Sequence, residues 1–328
     1  MNNKKTFQRC VSLFITTIIW ITSSAVQAGE ALTLAVSQSP LSLPIFVAES
    51  QGYFSSEGVT VKLKEINGGH RTLQALLDGE ADLATSSDAV IMFNSFRRND
   101  FAVIATFVSS RDDVKIIVGK ESGIVKPSQM TGKRVATVVG SASNYFLDTW
   151  MLLHDVDPKS VKIINLQPEA MESALSKGEV DAVAIWEPFP FKLANAGLGA
   201  KVLPNPGTYV LTFNLVVHKK LIGMRDDELV KLLRALARAQ RFIRDEPAKA
   251  QAILRSKLKL DQAFIDWIWP RNNYALSLDQ SLLSTLESEA RWARQEGHVA
   301  ENRKINYLDF IYVEPLLKVS PKAVGIKK

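Results

Sequence analysis

From Ala31 onward, short apolar runs alternate with segments whose apolar positions recur every three or four residues. The runs at 32–36, 59–66, 83–85, 103–108, 116–118, 134–139, 161–166, 182–185 and 211–217 have the length and β-branched content of buried strands. The segments between them read as amphipathic helices. Strand and helix in alternation predict an α/β fold built of layers, with largely parallel sheets.

Local signals place several helices. Pro44 suits the start of one, because its fixed φ is already helical, and Gly52 suits the left-handed stop. Ser141 or Ser143 can cap a helix whose apolar face is Phe146, Leu147, Trp150, Met151 and Leu153. An internal echo points to two related halves. Ala75-Leu76, Gly79-Glu80 and Asp82 recur at the same spacing as Ala174-Leu175, Gly178-Glu179 and Asp181, each ahead of a short apolar strand. Glycine lets the helix end in a left-handed residue, and the acid pair keeps the turn solvated. The first copy continues into Ser86-Ser87 and the second into Trp186-Glu187, so matching strand ends present polar or aromatic groups. From Asp226 the strands cease. Leu229, Leu232, Leu233, Leu236 and Ala237 mark a buried helical stripe, and Pro247, Asp261 and Asp279 start three further helices that pack back on the earlier layers.

The amino terminus changes where this fold is expected to work. Lys4, Lys5 and Arg9 precede an apolar run from Val11 to Ile21, then Val26-Gln27-Ala28, which is the pattern of a secretory signal peptide over 1–28 with cleavage before Gly29. The run is shorter than the roughly 20 apolar residues of a membrane span. Cys10, the one cysteine, precedes the apolar run and leaves with the signal. The mature chain then has neither a disulfide framework nor a thiol nucleophile. Loss of the three basic residues lowers the net charge from +6 to +3, which predicts no nucleic-acid partner. The four histidines, His70, His154, His218 and His298, are too scattered to suggest a metal, and no cofactor is expected.

Five segments in order carry a resemblance: Glu49-Ser50-Gln51-Gly52-Tyr53-Phe54 within 48–59, Asp78-Gly79-Glu80-Ala81-Asp82, Met130-Thr131-Gly132-Lys133-Arg134, Trp186-Glu187-Pro188-Phe189 and Asn306-Tyr307-Leu308-Asp309-Phe310. Together they resemble the periplasmic substrate-binding proteins of nitrate, sulfonate and taurine ABC transporters, a family that includes binders of thiamine-pyrimidine precursors. The resemblance implies a type II periplasmic-binding-protein fold: two α/β lobes, a ligand cleft between them and a helical C-terminal region. Lobe 1 would be 30–117 plus 215–328 and lobe 2 would be 118–214, with crossings near 111–118 and 211–218. It implies a periplasmic, monomeric, non-enzymatic receptor whose partners are a small-molecule ligand and an inner-membrane ABC permease. A taurine or alkanesulfonate ligand leads, then a pyrimidine-like ring, then nitrate or bicarbonate. The alternative function is a sensor presenting its ligand to a membrane signalling protein. A related eukaryotic synthase carries clustered cysteines that are absent here.

In open α/β sheets, ligands sit beyond strand ends against helix N-termini. Four segments fit. Ser39 and Ser42 donate to a ligand oxyanion or cap the helix at Pro44. Ser86 and Ser87 admit a ligand to backbone N–H groups or act as caps. Gly140, Ser141, Ser143 and Asn144 open a helix as an anion-facing terminus or as a plain cap; the Gly-Lys-Ser/Thr ending of a phosphate loop is missing. Trp186 stacks on a ligand or packs in the core, and Glu187 accepts from an amine or steadies the helix after Pro188. With Glu187 in the pocket, a zwitterion is favoured over a bare anion. Arg111 is a hinge anion contact or a surface residue, and Asp112-Asp113 are read as turn charges.

Overall fold

Every apolar run forms a strand. The computed structural model describes residues 30–326 except Pro206, Thr208 and Glu301, so the expected signal peptide lies outside the described residues. The strands are β1 (Leu32–Ser37), β2 (Val61–Ile66), β3 (Leu83–Ser87), β4 (Phe101–Ser110), β5 (Val114–Val118), β6 (Arg134–Thr137), β7 (Lys162–Asn165), β8 (Ala182–Trp186), β9 (Lys201–Val202), β10 (Leu211–His218) and β11 (Asn272–Asn273). They form a six-stranded sheet in the order β11-β4-β10-β3-β1-β2 and a five-stranded sheet in the order β7-β6-β8-β5-β9.

The sheets are mixed rather than largely parallel. β1 pairs parallel with β2 and β3, and β6 with β7 and β8, but β10 runs antiparallel to β3 and β4, and β5 antiparallel to β8 and β9. The chain leaves the large sheet after Ser110 and returns to it at Leu211. The expected crossing at 211–218 is therefore corrected: that segment is β10, hydrogen-bonded on both sides inside the large sheet. Likewise β5 belongs wholly to the small sheet, and the outward crossing is confined to 111–113.

The helices are α1 (Leu43–Ser50), α2 (Tyr53–Ser56), α3 (Gly69–Leu77), α4 (Asp88–Ser95), α5 (Ala142–Leu153), α6 (Pro168–Ser176), α7 (Phe189–Asn195), α8 (Asp226–Asp245), α9 (Pro247–Leu258), α10 (Gln262–Ile268), α11 (Gln280–Gln295) and α12 (Glu314–Val319). Pro44 is the second residue of α1, and Gly52 takes φ 64° after its end. Ser141 caps α5 by accepting from the Ser143 amide. Asp261 and Asp279 cap α10 and α11 in the same way. Two face assignments change. Leu153 is exposed at the end of α5, and Ala237 is half-buried on α8, where Ala239 completes the stripe with Leu229, Leu232, Leu233 and Leu236. That stripe packs against α1, so the tail lies on the large sheet's helical layer. The two-residue β11 qualifies the expectation that strands end at Asp226.

The echo has a structural purpose beyond the turn. Gly79 and Gly178 both have positive φ, as expected. Asp82 and Asp181 do more than keep a turn solvated, since each carboxylate accepts from an amide in the first two residues of the neighbouring parallel strand. Asp82 binds Thr33 N at 3.0 Å and Asp181 binds Arg134 N at 2.8 Å. Each also donates its own amide to the carbonyl of that same residue. The paired contacts hold β3 beside β1 and β8 beside β6 in one register.

Candidate functional site

The two sheets face each other across a narrow cavity of about 30 Å³, room for a water or two. The large-sheet half supplies Ser37, Ser39 and Leu41 beyond β1, Gly69 and His70 at the start of α3, Ser87 and Val90 around the start of α4, and Leu211 and Phe213 from β10. The small-sheet half supplies Ser141 and Ala142 at the start of α5, and Trp186 at the end of β8. Asp113, in the link between the sheets, completes it. Three helices of eight residues or more thus begin at this cavity, α3 and α4 from one side and α5 from the other. Their positive ends converge where a ligand oxyanion would be held.

The ten residues expected from sequence divide into two groups. Ser39, Ser87, Ser141 and Trp186 line the cavity. Ser87 and Trp186 occupy equivalent places in the echo, each closing the strand after its glycine turn. The other six support the walls. The Ser42 hydroxyl donates to Ser37 O at 2.7 Å and makes no cap. The Ser86 hydroxyl donates to Gly69 O at 3.1 Å and pins the start of α3. Ser143 is held between Thr137 and Ser141, each at 2.9 Å. Asn144 accepts from Gly140 N at 3.4 Å, and Gly140 lines an outer groove with His70 and Arg71 instead of the cavity itself.

Glu187 is buried among protein partners. Its carboxylate receives Lys115 Nζ at 2.9 Å, Trp267 Nε1 at 2.5 Å and the Phe191 amide at 3.2 Å. Burial pushes its pKa up, and Lys115 and Trp267 draw it partly back. The expectation that Glu187 faces an amine in the cleft is not met by this placement. The reading in which it steadies the helix after Pro188 is, because Phe191 belongs to α7. Arg111 is exposed, the surface alternative.

Sequence reasoning missed Asp113 and His70. The Asp112-Asp113 pair is not a pair of turn charges: Asp112 joins Lys115 and Arg271, whereas Asp113 is 5% exposed and faces the cavity. Burial, reinforced by the nearby Glu187 and opposed by Lys115, pushes the Asp113 carboxyl up to about 7. His70 follows Gly68-Gly69 at a strand-to-helix turn, the signal that singled out Ser141, so it was legible. Its ring meets that of Trp186 at 5.7 Å between centroids, an edge contact from one half to the other. Burial, with Arg71 beside it, lowers its pKa to about 4, while Gln167 and Glu169 pull weakly the other way. At neutral pH the imidazole is uncharged.

Contacts across the mouth hold the halves together. Arg71 on α3 reaches Glu169 on α6 at 2.8 and 3.2 Å and Gln167 at 2.8 Å. Tyr145 on α5 also packs edge-on against Tyr209 and against Trp292 on α11. No group of side chains suited to a metal ion occurs among the described residues.

Comparison with known proteins places the chain among binding proteins of similar sequence and fold. A Bacillus subtilis (strain 168) protein named for binding aliphatic sulfonates is 28% identical over 68% of this chain and 69% of its own length. The taurine-binding periplasmic protein of Escherichia coli (strain K12) is 25% identical over 49% of this chain, which spans half of that protein. Among solved structures, the alkanesulfonate-binding protein from Xanthomonas axonopodis pv. citri, bound to MOPS, superposes with a TM-score of 0.77 at 17% identity, over 86% of this chain and 98% of that one. A desulfurization enzyme also superposes, with a TM-score of 0.65 at 14% identity over 88% of this chain and 99% of its own, so the fold alone does not separate receptor from enzyme. The model of the family described as NMT1/THI5 like matches residues 39–250, well over half of the sequence, and the chain belongs to that family.

Proposed function

We propose that this chain is the extracytoplasmic solute-binding component of an ABC importer, a monomeric receptor that closes two lobes on a small sulfonate of the alkanesulfonate and taurine class. The observation that carries the reading is the composite cavity, with Ser39 and Ser87 on one side and Ser141 and Trp186 on the other. Neither half encloses a solute alone, so occupancy favours the closed form, which is the form a permease can select. This reading takes the two lobes expected from sequence and sets their edges at the sheet boundaries, so that β5 stays whole in the second and β10 whole in the first. The present cavity is too small for an alkanesulfonate, so the walls must part to admit one.

The Ser39 and Ser87 hydroxyls and the helix starts suit an oxyanion, and Trp186, Leu41 and Phe213 suit a short aliphatic chain. The names of the relatives point the same way and support binding over catalysis. Export rests on the expected signal peptide, and no helix among the described residues is long and apolar enough to cross a membrane.

A thermal-shift screen followed by calorimetry, over taurine, ethanesulfonate, an aminopyrimidine, nitrate and bicarbonate, tests the ligand class. A ligand at 100 times its Kd adds about 2.7 kcal/mol of stability. A sulfonate should shift the transition and be recovered unchanged. Stabilisation by nitrate or the aminopyrimidine alone would overturn the sulfonate assignment, and sulfite released from the solute would overturn the receptor one.

A further inference from the structure

Among the described residues lining the cavity, the ionisable ones are Asp113 and His70, and no lysine or arginine is present. This is an unexpected lining for a pocket that holds an oxyanion. The Asp113 side chain makes no hydrogen bond and no ion pair within 4.0 Å among the described residues. Lys115, the cation whose field reaches Asp113, is committed elsewhere, to Glu187 and to the carbonyl and carboxylate of Asp112, and Arg271 pairs with the Asp112 carboxylate. Glu187, beside it, adds a second buried negative charge. Tyr274 from the tail is half-buried with its pKa raised by desolvation, and His70 from α3 is neutral as well. A buried carboxylate with no ion pair of its own is costly, and it repels a bare anion held in the same small space.

We propose that Asp113 recognises a cationic amine on the bound solute, and so sets the pocket's specificity for zwitterions, aminoalkanesulfonates above all, over amine-free anions. The inference rests on the sulfonate reading for the identity of the head group, but not for the role of the amine. The solute's ammonium completes the pairing that the protein leaves open, while the helix starts and hydroxyls take the oxyanion end. In the free protein Asp113 is partly protonated near neutral pH. Amine binding below about pH 7 therefore releases a proton, and affinity rises with pH until the carboxyl is fully ionised.

The test is calorimetry at pH 8 with two matched pairs: taurine against ethanesulfonate, and β-alanine against propionate. The wild type should bind taurine at least about 30-fold more tightly than ethanesulfonate, and Asp113→Asn should bring the two within about threefold of each other. The wild-type comparison decides even if the variant does not fold. Ethanesulfonate bound as tightly as taurine overturns the proposal, as does a variant that keeps the preference. Binding that strengthens as pH falls would also overturn it, because a protonated Asp113 would then be donating to the anion. A preference for β-alanine over propionate with no sulfonate binding would sink the sulfonate reading and leave Asp113 in its role. No binding in either pair sinks both.

Discussion

Two buried carboxylates beside the same lysine have opposite fates, and the difference lies in what each touches. Glu187 is 1% exposed and Lys115 2%, and their contact at 2.9 Å is joined by Trp267. Removing one member of such a pair leaves the other charged and buried, a cost of about 3–5 kcal/mol. Glu187→Gln should therefore lower stability by about 3 kcal/mol in urea unfolding, yet change solute affinity by less than about threefold. A larger affinity loss would return Glu187 to the site. Asp113 behaves in the reverse sense. Its folded pKa of about 7 lies above the unfolded value of about 3.9, so the wild type loses stability as pH rises from the lower figure to the higher. Asparagine has no such loss. Without solute, Asp113→Asn should gain on the wild type by about 2–3 kcal/mol between pH 5 and pH 8. A gap that does not change with pH would show that Asp113 is solvated. The sequence made Trp186 and Ser141 legible because each stands at a strand end or helix start. Asp113 lies in a link with no periodicity, next to a second aspartate, and burial alone separates the two.

At the scale of elements, the echo was legible as helix, glycine turn and strand, and its acids were misread as mere solvation. Asp82 and Asp181 each bind backbone of the adjacent parallel strand, and Asp181 also takes the Arg134 guanidinium at 2.9 Å. Losing the carboxylate leaves a strand-end amide without its acceptor, at about 1–3 kcal/mol. Asp82→Ala and Asp181→Ala should each lower the unfolding free energy by about that amount, with solute affinity preserved; costs below about 0.5 kcal/mol would show that water replaces the carboxylate at these amides. The same offset of the echo places Asp88 opposite Glu187. Both are buried just past their strands, and both hold chain from another part of the fold: Thr212 N at 2.8 Å for Asp88 and Trp267 for Glu187. Strands buried on both faces, such as β3, β4 and β10, read as continuous apolar runs, while the edge strands β2 and β7 were recoverable from their β-branched residues. The two-residue strands β9 and β11 were not, because their pairing is decided by where distant segments meet.

For the whole molecule, the proposed closure makes solute binding and the approach of the two halves one equilibrium, so a contact that exists only across the closed mouth contributes to apparent affinity without touching solute. Arg71 with Glu169 and Gln167 is such a contact. The pair is 36% and 46% exposed, which limits it to about 0–1 kcal/mol in water. A loss of that size weakens apparent affinity by at most about fivefold, and it should appear mainly as faster release, since opening precedes escape. Arg71→Ala should therefore raise the dissociation rate of taurine by about two- to fivefold in stopped-flow measurements, with little change in association. Salt screens exposed pairs, so raising ionic strength should speed release from the wild type more than from the variant. A variant that releases solute at the wild-type rate at every salt concentration would show that the mouth contacts follow closure without stabilising it. The apolar and aromatic packing of Tyr145 against Tyr209 and Trp292 would then be what holds the halves together.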